Sequence, residues 1–169
     1  MSFREMRRKN QALSPTACEA VLEQGTSGVL AAAGDGGYPY AVPLSYVWHG
    51  GRLLFHCAPV GHKLDAILRE PRVSFCVIGQ DCVVPEEYTT YFRSVIVFGR
   101  AQVLDSPMEK RAALEVLAAK YSPDLEQGRL EEIDKLFDRV CIVALIPEHI
   151  SGKEAIELVR AGQTAADPV

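Results

Sequence analysis

The sequence predicts a mainly β fold, an antiparallel barrel of about six strands with helices at its periphery. Three observations carry that reading. The apolar runs are mostly short and joined by Gly- and Pro-containing turns, helical spacing occurs at only a few points, and no strand–helix–strand repeat suggests a doubly wound sheet. The 169 residues, 48% of them hydrophobic, suffice for one core without disulfides or structural metal, so residues 1–169 read as a single domain with its core at about 14–153.

Each element has its own signal. Ser14-Pro15 reads as an N-cap followed by proline at the first helical position, which predicts a helix over 16–24 stopped by Gly25. Residues 28–33 form a small apolar strand, closed by Gly34-Asp35-Gly36-Gly37, whose glycines tolerate the positive φ of a tight turn. From Tyr38 to Trp48 the chain alternates with a period of two and reads as one strand. Pro39 and Pro43 cannot donate to a ladder, so this strand belongs at an edge or carries a bulge, with backbone groups left over for another partner. Tyr40, Tyr46 and Trp48 share one face of it and are expected to pack in the core or at a dimer interface. His49-Gly50-Gly51 turns the chain into a strand over 52–57. A short helix follows over 62–70, ended by Pro71, and then a strand over 72–78. Residues 80–91 read as a polar loop and 92–104 as a long strand. Ser106-Pro107-Met108-Glu109 has the pattern of a capping box and opens the clearest helix, which stops at Ser122-Pro123. A weaker helical pattern covers about 128–137, and 140–146 is a buried-type strand ending at Pro147.

Charge narrows the function classes. Eighteen Lys and Arg against 22 Asp and Glu give a formal net charge of -4, without the basic excess of a nucleic-acid-binding surface. The basic stretch Arg4 to Lys9 is not followed by an apolar segment, and no run has the length of a membrane span, so a cytoplasmic protein is expected. Five scattered cysteines, without close pairs, read as reduced thiols and give no metal site. His49 and His149 are expected in solvent-facing turns.

The window Leu54-Phe55-His56-Cys57-Ala58-Pro59-Val60-Gly61-His62-Lys63 carries the chemistry. A strand here runs through a glycine into a helix start, where free N–H groups beside Lys63 suit a phosphate. Lys63 equally fits a solvated position on an amphipathic helix. Cys57 cannot act with His56 as a nucleophile pair, because neighbouring strand residues point to opposite faces.

Four windows in order, Tyr38 to Tyr46, Leu54 to Ala58, Gly61 to Leu64 and Arg93 to Ala101, resemble the nitroimidazole-resistance branch of the pyridoxamine 5'-phosphate oxidase-like, FMN-binding split β-barrels. The resemblance implies FMN as cofactor. Val42, Pro43, Leu44 and Ser45 match a strand whose main chain meets the polar edge of the flavin ring, and Phe55 and His56 match positions lining the ring. Gly61, His62 and Lys63 match the phosphate-binding turn; the broader family usually has arginine where this chain has His62, which ties phosphate affinity to imidazole protonation. Arg93 and Ser94 match residues that reach the cofactor from a second subunit, so a homodimer is implied. His56 matches the active-site histidine, able to position or protonate a small aromatic or nitro-aromatic acceptor, and it also fits a strand histidine that merely packs by the ring. The chain lacks a G-x-G-x-x-G unit, so a nicotinamide donor would visit the flavin face. Related split barrels hold haem, for which His56, His62 or His149 could serve, or a deazaflavin, for which no further basic cluster stands beside Lys63.

Overall fold

The computed structural model describes residues 2–166, with the side chains of residues 163–166 excepted. Its strands are β1 (Ser27–Ala33), β2 (Pro39–Ser45), β3 (Val47–His49), β4 (Arg52–Cys57), β5 (Arg72–Val84), β6 (Thr89–Val103) and β7 (Cys141–Glu154). Five α-helices accompany them among the described residues: α1 (Pro15–Gln24), α2 (His62–Arg69), α3 (Pro107–Tyr121), α4 (Glu126–Leu136) and α5 (Ile156–Ala166). All strand pairs are antiparallel, in the order β2-β1-β5-β6-β7-β4-β3.

Seven strands appear in place of six because the stretch expected as one strand is broken at Tyr46. Its two halves, β2 and β3, form the two edges of the sheet, so a single residue links one edge to the other and the sheet curls into a barrel. The break has a clear cause. The N–H of Tyr46 donates to the Tyr121 hydroxyl at 2.9 Å, and that hydroxyl lies 2.8 Å from the Tyr46 carbonyl, so a side chain from α3 stands where a neighbouring strand would be. The Tyr46 hydroxyl donates in turn to the Leu22 carbonyl at 2.8 Å, one of the carbonyls that the end of α1 leaves without an intrahelical partner. Gly25 follows α1 at a point where no side chain fits: a Cβ there would lie 2.5 Å from the Tyr46 hydroxyl.

Inside the barrel, Leu22, Leu30, Tyr46, Phe55, Phe75, Val97 and Leu145 form the main core. A second cluster, with Leu54, Leu104, Ala113, Leu117, Ile142 and Ala144, lies between the outer face of β4 and β7 and the inner face of α3. β4 is therefore apolar on both faces, with Leu53 and Phe55 in the barrel and Leu54 beneath the helix. His56 shares the outer face of Leu54, one step beyond that cover, and is exposed.

Several sequence expectations need correction. Residues 80–91 are no loop: β5 and β6 extend as a ribbon that pairs Gln80 with Arg93 and Val84 with Thr89, past a bulge between Ile78 and Gln80. Both faces of the ribbon are largely exposed, which removes the apolar alternation that marks a half-buried strand. Pro147 does not end β7. It sits at a bulge opposite Gly99, where a Cβ on Gly99 would come 2.1 Å from the Ile146 carbonyl oxygen, so the two backbones approach only because Gly99 lacks one. His149 is consequently a strand residue, half-buried and stacked on Phe3 with ring centroids 4.7 Å apart. His49 does lie exposed beside the Gly50-Gly51 turn, where both glycines have positive φ.

Candidate functional site

The barrel opens where β2 and β4 part. Val47 pairs with Leu54, and the same register carried two residues further would set Ser45 opposite His56, but the ladder stops at Val47. Ser45 and His56 instead line a cavity of about 590 Å³, whose remaining walls come mainly from α3 and α4. Leu114, Leu117, Leu125, Ile133 and Leu136 make those walls apolar. Neither the His56 imidazole nor the Ser45 hydroxyl has a hydrogen-bond partner among the described residues, so both remain available to a ligand. Cys57, on the opposite face of β4, is buried, which pushes its thiol up from its ordinary value despite the nearby Lys63 ammonium pulling it down.

A short turn after β4 leads to the start of α2. Gly61 has φ 129°, a conformation that favours glycine, and it supplies no side-chain cap, so the first-turn N–H groups of α2 are open. Lys63 makes no ion pair among the described residues. A glycine lead-in, an open helix N-terminus and an unspent ammonium fit a phosphate. Asp65 in the same turn is the one opposing charge on the helix start.

The two basic residues expected to act together are differently placed. His62 Nε2 lies 3.6 Å from Asp35 Oδ2, and its ring packs on Tyr40 with centroids 4.0 Å apart. Asp35 is also held by Arg69 at 2.9 Å, and Arg69 donates to the Ala33 carbonyl at 2.8 Å, so both ends of α2 are tied to the turn after β1. Lys63 and the backbone are thereby the freer of the anion-binding groups.

β2 is an edge strand, one of the two arrangements its prolines allowed. Val42 and Leu44 lean on the core while Pro43 and Ser45 face out, leaving one backbone edge without a strand partner. Phe55 corrects an expectation: its side chain is wholly buried in the barrel, stacked near Phe75 at 6.5 Å, so only its backbone can face a ligand. Arg93 and Ser94 lie far off in the same chain. Ser94 pairs with Lys153, whereas His56 pairs with Ile142, and eleven residues of β7, a path of at most about 36 Å along the strand, run between those partners. Arg93 is bound across the sheet to Glu154 at 2.9 Å.

Sequence reasoning missed Asp35, Tyr121 and the α4 wall. Asp35 looked like a turn residue, and a tertiary ion pair leaves no periodic mark. The signal for the wall was the apolar spacing of α3 and α4, which does not tell a cavity from a core.

A family model described as pyridoxamine 5'-phosphate oxidase matches residues 14–154, a span that contains all of the strand edge, the β4 end and the α2 turn. The chain belongs to the pyridoxamine 5'-phosphate oxidase family. Solved structures share its fold. A candidate 5-nitroimidazole antibiotic resistance protein from Bacteroides thetaiotaomicron is 17% identical with a TM-score of 0.70, over 90% of this chain and 96% of that one. A FAD-binding protein from Mesorhizobium loti is 27% identical with a TM-score of 0.66, over 86% and 97%. A FAD- and haem-binding protein from Mycobacterium smegmatis is 23% identical with a TM-score of 0.71, over 91% and 80%. Comparison with curated proteins gives no match. Within this family member, no described helix is long and apolar enough to cross a membrane, and the described residues contain no cluster of three or more metal-ligating side chains.

Proposed function

We propose that the chain is an FMN-dependent oxidoreductase that reduces a small aromatic or nitro-aromatic acceptor, and that it works as a homodimer. The observation that carries this reading is one continuous path. An open helix start with an unspent Lys63 follows directly on β4, whose His56 stands with Ser45 in an apolar cavity beside an unpaired strand edge. Membership of the pyridoxamine 5'-phosphate oxidase family and the likeness to a FAD-binding protein support a flavin as the ligand.

In this arrangement the first-turn N–H groups of α2, with Lys63 and His62, hold the phosphate. The outward backbone of Val42, Pro43, Leu44 and Ser45 offers its hydrogen bonds to the polar edge of the ring. When bound, the flavin supplies the passage of reducing equivalents from a donor such as a nicotinamide to the acceptor. His56 orients the acceptor or moves a proton at its imidazole, which no neighbour engages. α3 and α4 exclude water from that end of the barrel.

The second subunit enters through distance and surface. Arg93 and Ser94 lie at the other end of β7 from the strand register of His56, so in this reading it is a partner's copy that contributes them to the site. Val29, Cys76 and Ile96 form a cross-strand row on the outer face of β1, β5 and β6, continued by exposed Ile78, a face suited to a second copy.

Purified protein incubated with FMN and desalted tests the reading, alongside Lys63→Ala. We expect retained flavin in the first and at least tenfold weaker retention in the second, equivalent to about 1.4 kcal/mol or more. Equal retention would remove Lys63 from the phosphate site, and no retention by either would remove FMN. Haem is the second reading, favoured by the likeness to a FAD- and haem-binding protein. His62 is engaged with Asp35 and Tyr40, and His149 with Phe3, which leaves His56 as the open axial ligand. A Soret band on haem titration that His56→Ala abolishes would favour it.

A further inference from the structure

The cavity between α3 and α4 has a composition that selects among ligands. Its volume of about 590 Å³ lies within the range of small-molecule pockets, about 300–1,000 Å³. Its walls are aliphatic, and its hydrogen-bonding groups at the barrel end are His56 and Ser45, both unspent. Its charged residues are one cation and one anion. Arg129 donates through Nη1 to the Ser122 and Pro123 carbonyls at the end of α3, and Glu132 pairs with Lys135 at 3.6 Å.

We propose that this cavity is the specificity pocket for a neutral, planar, apolar acceptor of about two fused rings that carries a hydrogen-bonding oxygen at one edge, such as a naphthoquinone. The assignment of the ligand as an acceptor rests on the flavoenzyme reading; its neutrality and apolar character rest on the lining alone. The lining's one guanidinium, on Arg129, is held through Nη1 at the end of α3 and is balanced by the Glu132 carboxylate, so the lining carries no net formal charge to offset the desolvation of an anion. A neutral oxygen needs only a hydrogen bond, which His56 or Ser45 supplies. The aliphatic walls of two helices then contribute by burial of ring surface.

Gly128 gives a clean way to close the pocket. It lies on α4 in the lining, and a Cβ placed there meets no atom within 4 Å, so a larger side chain can be added at the pocket wall without displacing the core. Calorimetric titration of 2-methyl-1,4-naphthoquinone and of 1,4-naphthoquinone-2-sulfonate is carried out on the FMN-free and FMN-incubated protein, with Gly128→Phe and Gly128→Ser beside the unaltered chain. We expect the neutral quinone to bind at least tenfold more tightly than the sulfonate. Gly128→Phe is expected to weaken it at least tenfold, Gly128→Ser to leave it within threefold, and FMN retention to be equal in all three. Thermal melts confirm that both variants fold.

Equal affinity for the two quinones, or unaltered binding in Gly128→Phe, overturns the proposal. So does absence of quinone binding to a protein that holds FMN. A protein that binds the quinone in a Gly128-dependent way but never takes up FMN upholds the pocket and sinks the flavoenzyme reading alone.

Discussion

Tyr121→Phe removes a single oxygen and tests how the barrel is held open. That hydroxyl accepts the Tyr46 N–H at 2.9 Å and faces two carbonyls, that of Tyr46 at 2.8 Å and that of Thr26. With one hydrogen to give, it donates to one carbonyl at a time, so the substitution deletes one accepted and one donated bond. Tyr46 is wholly buried, and its orphaned N–H costs about 1–3 kcal/mol. The lost donated bond, at a partly exposed site that water can reach, adds about 0.5–1 kcal/mol. A total of roughly 1.5–4 kcal/mol corresponds to a fall in melting temperature of about 3–16 °C for a domain of this size. Circular-dichroism melts of Tyr121→Phe and of Tyr91→Phe, which loses only an exposed bond to Glu87, give the comparison. A Tyr121→Phe melt within about 1 °C of the unaltered chain would refute the assignment of Tyr121 as the partner that breaks the strand.

Two glycines should respond oppositely. Gly99→Ala forces a Cβ to 2.1 Å from the Ile146 carbonyl oxygen and is expected to lower stability by about 1–3 kcal/mol in urea titration, whereas Gly128→Ala, with open space on an exposed helix, should raise it by up to about 1 kcal/mol. Timed alkylation with mass mapping should label exposed Cys82 first. Cys18 and Cys57, whose thiols burial pushes up from the ordinary value, should label only after unfolding; early labelling of Cys57 would contradict its place in the core. Glu70 is held down to about 2 from 4.5, chiefly by the side-chain hydrogen bond from Arg72 and then by the Arg72 backbone N–H. Because the folded value is the lower one, this stabilisation is complete above about pH 4.5 and fades as pH falls toward 2. Melts from pH 2 to 6 should therefore decline less steeply in Glu70→Gln, though the partial exposure of the pair keeps the difference small.

Much of the fold was legible because its signals are local. The caps at Ser14 and Ser106, the positive-φ turn at Gly36-Gly37 and the alternation of β2 each specify geometry within a few residues. Pro39 and Pro43 narrowed β2 to an edge or a bulge, since a missing N–H is a property of the residue itself, and the strand lies at an edge. What escaped depends on contacts distant in sequence. Tyr46 breaks a strand because Tyr121, 75 residues later, takes its backbone groups, and Pro147 stays within β7 because Gly99 makes room. At the candidate site, a glycine before a helix start beside Lys63 was visible as a phosphate motif. The apolar cavity was hidden, since Leu117 and Ile133 have the same spacing whether they face a core or a ligand. Phe55, which the resemblance matched to a position lining the ring, turns its side chain into the barrel on the face opposite His56.

Native mass spectrometry of the full chain after FMN addition reads cofactor and assembly together. The account predicts a species of two chains carrying two FMN molecules, with neither the dimer nor the flavin lost on desalting. A single chain free of FMN at micromolar concentration would contradict the view that two copies of this barrel complete the flavin site.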